Sequence, residues 1–171
     1  MPRNLEIKIR LNSLKDIKQR LKSRRIGLKK ILIQKDVYYS INNGLVKLRI
    51  ENGQSSLIYY QRNENSSKRW SDYEFVNLSN GNIEKFFSRI MKMEVVVSKV
   101  RELYLYKNTR IHLDRVKGLG SFIELETMVK NGLMDAQKRF NNIIKILELN
   151  TDDQIRASYR DLILKKKNDT Y

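Results

Sequence analysis

Charged residues recur at alternate positions in the apolar, strand-like segments of this 171-residue chain. The set is Glu6, Lys8 and Arg10; Lys47 and Arg49; Arg62; Lys99 and Arg101; Arg110, His112 and Asp114; Glu124 and Glu126. A lysine or arginine in such a segment is costly to bury unless it meets an anion. Cations facing one another repel, and they are stable indoors only around a bound anion. The carboxylates among them suit a hard cation such as magnesium or manganese, which takes oxygen ligands. Cations beside a carboxylate-held metal form an arrangement that grips a polyphosphate. Alternation alone fits a second arrangement equally well: a barrel with an apolar inside and a charged outside.

The elements that would position these residues are legible from period and punctuation. Leu5 to Asn12 alternates, with Leu5, Ile7, Ile9 and Leu11 on one face, as a strand does. Ser13 with Asp16 resembles a capping box, and Leu14, Ile17 and Leu21 follow at helical spacing in a helix expected to end near Gly27. Strands are expected at Leu32 to Ile41, Leu45 to Glu51, Ser56 to Arg62 and Tyr73 to Leu78. Asn52-Gly53 reads as a hairpin turn, and Asn63 to Lys68 as a loop. Asn80 begins a second helix with Ile83, Phe86, Phe87 and Ile90 as its buried stripe. Further strands follow at Val95 to Tyr106, Thr109 to Val116 and Phe122 to Val129. A helix from Leu133 to Leu147 and another capped by Thr151 end the chain. About eight antiparallel strands with a few helices predict an α+β barrel, with residues 1–171 as one domain.

Composition narrows the chemistry. Lysine and arginine number 35 against 19 acidic residues, a net charge of +16. Nucleic acid is the default partner of so basic a chain, but the charges inside strands favour an anion pocket within the fold. The basic run Lys15 to Lys30 and the tail Lys165 to Lys167 read as solvated faces. With no cysteine, a disulfide scaffold, a thiolate zinc site and a cysteine nucleophile are excluded. No run reaches membrane-spanning length and Met1 to Arg10 lacks a signal peptide's apolar stretch, so a soluble cytoplasmic protein is expected.

Several stretches, in order, carry a resemblance. Asn4-Leu5-Glu6-Ile7-Lys8 resembles the E-x-E-x-K motif of the CYTH superfamily, the triphosphate tunnel metalloenzymes. Gln34-Lys35-Asp36-Val37-Tyr38-Tyr39 is similar to that family's Q-x-D-x-Y-Y/F stretch, and Lys47-Leu48-Arg49 to its next basic pair. Lys99-Val100-Arg101, His112-Leu113-Asp114 and the run Gly118-Leu119-Gly120-Ser121-Phe122-Ile123-Glu124-Leu125-Glu126 resemble its carboxy-terminal half. Ser158-Tyr159 resembles its terminal S-Y motif, and the whole set points to the branch of class IV adenylyl cyclases.

The resemblance implies an eight-stranded antiparallel closed β-barrel, open as a tunnel and flanked by helices. It implies that Glu6, Glu124 and Glu126 hold Mg²⁺ or Mn²⁺. Lys8, Lys47, Arg49, Lys99 and Arg101 would bind the triphosphate, and Asp114 would lie near the metal and the reacting phosphate. Lys8, Arg101 and Asp114 are the catalytic candidates. The implied reaction is conversion of ATP to cyclic AMP and pyrophosphate; hydrolysis of thiamine triphosphate, inorganic triphosphate or a nucleoside triphosphate is the alternative. A homodimer is also implied.

Two departures stand out. Asn4 occupies the place of the motif's first glutamate, and a neutral amide oxygen is a weaker ligand for a hard cation. Tyr60 stands where a strand lysine is usual, and Arg62, on the same face, is the candidate replacement. Asn4 and the net charge keep a third reading in view, a non-catalytic binder of triphosphate or nucleic acid. His112 reads as an ordinary polar barrel residue, and Trp70 as an exposed or packed aromatic.

Overall fold

The computed structural model describes residues 3–63, 70–79 and 82–169. The strands are β1 (Arg3–Leu11), β2 (Leu28–Tyr39), β3 (Leu45–Glu51), β4 (Gln54–Asn63), β5 (Trp70–Leu78), β6 (Met93–Tyr106), β7 (Thr109–Val116) and β8 (Gly120–Met128). The helices are α1 (Lys15–Ser23), α2 (Ile83–Ile90), α3 (Leu133–Ile146) and α4 (Tyr159–Asn168). The protein is α+β, with all eight strands antiparallel. Their order is β1-β5-β4-β3-β2-β6-β7-β8, and β1 pairs with both β5 and β8. Among the described residues, β1 meets β5 from Arg3↔Asp72 to Leu5↔Trp70 and β8 from Asn4↔Met128 to Leu11↔Ser121.

Turn chemistry sets the register. Asn52 and Gly53 both take positive φ, 49° and 82°, as the two-residue turn between β3 and β4 requires. Lys107 and Asn108 do the same between β6 and β7.

Period two then divides each strand into two faces. Leu5, Ile7 and Ile9 of β1 join Ile111, Leu113, Ile123 and Leu125 of β7 and β8 on the outer face, where Ile17 and Leu21 of α1 and Phe140 and Ile143 of α3 cover them. The apolar core therefore lies between barrel and helices. The inside of the barrel takes the charged alternates together with a smaller apolar cluster of Tyr38, Val97, Val116, Phe122 and Tyr159.

Several expectations need correction. Leu14, not Ser13, precedes α1; the Ser13 hydroxyl accepts instead from the Lys15 amide at 3.1 Å, and the helix ends at Ser23. α2 is capped by Asn82, and its apolar stripe is only half used. Ile83 and Phe87 pack on the barrel, with Phe87 5.6 Å from the Tyr39 ring, whereas Phe86 and Ile90 stay about 60 % exposed. Thr151 begins only a short 3-10 turn, Thr151–Asp153. The last helix starts later, where Ser158 and Asp161 form a reciprocal capping box. Of the loop expected at Asn63 to Lys68, Asn63 ends β4 and the rest lies outside the described residues. Among the described residues no helix is long and apolar enough to cross a membrane.

Candidate active site

A cavity of about 360 Å³ lies inside the ring of strands. Every strand supplies part of its wall. β1 gives Asn4, Glu6 and Lys8; β2 gives Gln34 and Tyr38; β3 gives Lys47 and Arg49; β6 gives Lys99 and Arg101. β7 gives Arg110 and His112, β8 gives Glu124 and Glu126, and β4 and β5 add Ile58 and Tyr73. Ser158 and Tyr159, at the start of α4, also line it. Of the two arrangements that alternation allowed, the molecule adopts the charged interior.

Two aspartates behind the lining hold the cations in place. Asp36 on β2 is fully buried. It accepts from Lys47 Nζ at 2.9 Å, from Arg49 Nε and Nη2 at 2.7 and 2.8 Å, and from Lys99 Nζ at 3.3 Å. Register makes this possible: Asp36 pairs with Arg49 across β2–β3, and Gln34, its neighbour on the same face, pairs with Lys99 across β2–β6. Burial works against the charge of Asp36, but Arg49, Lys47 and Lys99 overcome it and keep its carboxyl well below the usual range. Three cations share one carboxylate, so positive charge is left over. Burial, with Arg49 beside it, pushes the Lys47 ammonium down to about 7 against the pull of Asp36. Lys99 is lowered too, first by burial and then by Arg101 and Arg49.

Asp114 on β7 is the second buried anchor. It takes Arg101 Nε and Nη2 at 2.7 and 2.6 Å and the Tyr159 hydroxyl at 2.9 Å. Asp114 does not reach the cavity wall; it orients Arg101 from behind. Arg101 also donates to Glu124, which lies 3.3 Å from the Lys8 ammonium. Lys8 is buried, donates to the Ala157 carbonyl at 2.9 Å and sits 4.1 Å above the Tyr159 ring. Burial opposes the charge of Glu124, but Lys8 and Arg101 hold its carboxyl well below the usual range.

The opposite wall is acidic. Glu124 and Glu126 are two apart on β8 and share a face; His112 lies directly across from Glu124, and Glu6 directly across from Glu126. Ligand atoms of His112, Glu124 and Glu126 all lie within 4.8 Å of one another. Glu6 lines the same cavity but stands outside that trio. Burial, aided by Arg101, pushes the His112 imidazole down to about 4, so it is neutral at pH 7. Oδ1 of Asn4 and Nδ1 of His112 are buried with no hydrogen-bond partner among the described residues. A buried orphan polar atom is costly; that of His112 stands beside a pair of carboxylates, and that of Asn4 lines the same cavity, a donor set that fits a divalent cation.

The candidate residues therefore separate. Lys8, Lys47, Arg49, Lys99, Arg101, Glu6, Glu124 and Glu126 all line the cavity. Asp114 lies one layer behind it. Arg10 shares the strand face but is exposed, donating to the Leu119 carbonyl over the Phe122 ring. Arg62 lies in β4 opposite Ser71, and its side chain is outside the described residues. Sequence reasoning assigned no role to Asp36, and it read His112 as ordinary. The signals were present: a carboxylate on the inward face of β2, and a histidine in register with the acidic pair.

Similarity to known proteins follows the same outline. A family model described as the CYTH domain matches residues 2–159. A protein of Methanocaldococcus jannaschii named "putative adenylate cyclase" is 26% identical over 172 residues, covering 92% of this chain and 97% of its own. A solved structure from Pyrococcus horikoshii has a TM-score of 0.82 at 23% identity, covering 93% of this chain and 98% of that one. A Hippeastrum structure, described as a "putative adenylyl cyclase" that reveals a dominant triphosphatase activity, has a TM-score of 0.67 at 12% identity. That likeness covers 97% of this chain and 96% of the Hippeastrum chain.

Proposed function

The chain belongs to the CYTH domain family, and we propose that it is a metal-dependent enzyme that takes ATP into its barrel as into a tunnel and releases cyclic AMP and pyrophosphate. One observation carries this reading. Lys47, Arg49, Lys99 and Arg101 turn into one cavity, held from behind by buried aspartates, opposite a wall of carboxylates. Such preset cations stabilise a polyphosphate without reorganising when it arrives.

In this reading Lys8, Lys47, Arg49, Lys99 and Arg101, with Arg62, grip the phosphates. Glu6, Glu124 and Glu126 hold Mg²⁺ or Mn²⁺, which supplies Lewis acidity at a phosphoryl oxygen and offsets charge on the leaving pyrophosphate. Asp114 positions Arg101 beside the α-phosphorus, where the ribose 3′ oxygen attacks. The relative named as an adenylate cyclase supports the choice of reaction. The Hippeastrum description favours a second reading, in which water attacks the terminal phosphorus of a triphosphate. Incubating the purified chain with ATP and Mg²⁺ or Mn²⁺ separates the two. Cyclic AMP with pyrophosphate is the expected outcome, orthophosphate supports the second reading, and neither product sinks both.

The lowered Lys47 ammonium gives a further expected result. An arriving polyanion restores its charge, so binding takes up a proton above pH 7. At pH 8.5 calorimetry of inorganic triphosphate binding in buffers of different ionisation enthalpy will show net uptake. Lys47→Gln will reduce it, which separates this lysine's share from that of Lys99 and from the ligand's own protons. At pH 6 Lys47 is already charged and the two proteins will match. Equal uptake by both proteins at pH 8.5 would rule the idea out.

A further inference from the structure

The metal reading above names carboxylates only, and His112 extends it. His112 is 5 % exposed, lies inside the barrel and has an Nδ1 with no hydrogen-bond partner among the described residues. The pleat aims it at the acidic wall: it pairs in register with Glu124, and its Nδ1 is 3.5 Å from a Glu126 oxygen. That distance is too long for a good hydrogen bond. The imidazole therefore stands beside two carboxylates that have ligand atoms within reach of the same point. Asn4 lines the same cavity with a second orphan, its buried Oδ1, in place of a charged oxygen. Relative to an all-carboxylate set, this chain offers less negative charge and one nitrogen.

We propose that His112 is a direct ligand of the divalent ion held at Glu124 and Glu126, and that its nitrogen makes the site favour a first-row transition ion, Mn²⁺ or a neighbour, over Mg²⁺. Magnesium is served almost wholly by oxygen ligands and gives up its waters reluctantly, so an imidazole adds little to its binding. Imidazole nitrogen suits the later first-row divalent ions best, and Mn²⁺, at the weak end of their order, still accepts it more readily than Mg²⁺ does. The nitrogen therefore contributes to one class of ion and not to the other. This inference rests on the metal reading of the site.

The test uses Mn²⁺ alone, added below stoichiometry to the full chain, with pulsed electron paramagnetic resonance as the readout. Nitrogen modulation from a directly bonded imidazole is expected in the wild type. Its loss is expected in His112→Gln, with Mn²⁺ affinity down about tenfold or more and Mg²⁺ affinity hardly changed. The wild-type spectrum decides the matter even if the variant folds poorly. Bound Mn²⁺ with no nitrogen coupling overturns the inference and leaves the carboxylate site standing. If wild type and Glu124→Gln both fail to bind Mn²⁺, the metal reading itself falls and His112 as a ligand falls with it.

Discussion

Replacing Glu124 by glutamine will lower turnover about a thousandfold or more while the barrel stays folded. Glu124 is the point where the cationic and acidic walls meet. It accepts from Arg101, faces the Lys8 ammonium at 3.3 Å, and belongs to the trio with His112 and Glu126. Glutamine keeps the shape and removes the charge, so the loss falls on three functions together. Lys8 and Arg101 each lose a charged partner, and the cation site loses a charged oxygen. Because Lys8 and Arg101 overcome burial and hold the Glu124 carboxyl well below its ordinary range, it stays ionised across neutral pH. The acid limb of a pH–rate profile will not be its titration. Glu102→Gln is the control. Glu102 is also buried, but it pairs with Lys18 and Arg115, and it takes no part in the cavity lining. Turnover unchanged in Glu124→Gln, with melting temperatures matched, would remove this carboxylate from the mechanism.

The strands were legible because alternation is a local property. Thr109 to Val116 is bounded in the sequence where the structure bounds β7. Even the chemistry followed from alternation once one face was known to be covered. Which face points inward is not local. It was settled by α1 and α3, whose Ile17, Leu21, Phe140 and Ile143 pack on the aliphatic side of β1, β7 and β8 and leave the lysines inside. Helix ends were read less well, since a cap depends on where the chain turns. Thr151 reads as a cap in the sequence, but it is at Ser158, seven residues on, that Asp161 reaches back to close the box. The stripe on α2 was visible, but a stripe does not say how much of it meets a partner. Ile83 and Phe87 do, whereas Phe86 and Ile90 remain exposed.

The site was read residue by residue but not in depth. Lys47, Arg49, Lys99 and Arg101 share one face, as alternation requires, and that face is the inward one of the two it allowed. A sequence does not distinguish a carboxylate that faces a ligand from one that faces its neighbours. Asp114 and Glu124 lie on adjacent strands in similar motifs, yet Asp114 is sealed behind Arg101 and Tyr159 while Glu124 opens to the cavity. Asp36 lies in the Gln34–Tyr39 stretch with no partner evident from the sequence. Only the β2–β3 and β2–β6 registers reveal that its partners are Lys47, Arg49 and Lys99.

That arrangement makes Asp36→Asn strongly destabilising. Removing one partner of a buried ion pair costs about 3–5 kcal/mol, and here one substitution removes a charge shared by three cations. Lowering the pH is a poor substitute for the mutation. The Asp36 carboxyl is held well below its ordinary 3.8, so its contribution is present above that value and is lost only as pH falls through the depressed one. In the variant, Lys47 loses the partner that raises its affinity for a proton and is pushed below the value of about 7 it has in the native protein. The folded state then binds fewer protons than the unfolded chain over a wider range, up to the ordinary 10.5. Stability must therefore rise with pH across that range, and the deficit against wild type will be larger at pH 6 than at pH 9. Inorganic triphosphate supplies the missing negative charge from the cavity side, so it will raise the variant's melting temperature by more than it raises the wild type's. Thermal unfolding of both proteins at the two pH values, with and without that anion, checks every part. A variant as stable as wild type, or one that gains no more from the anion, would mean that Asp36 does not stand in for the guest these cations are set to hold.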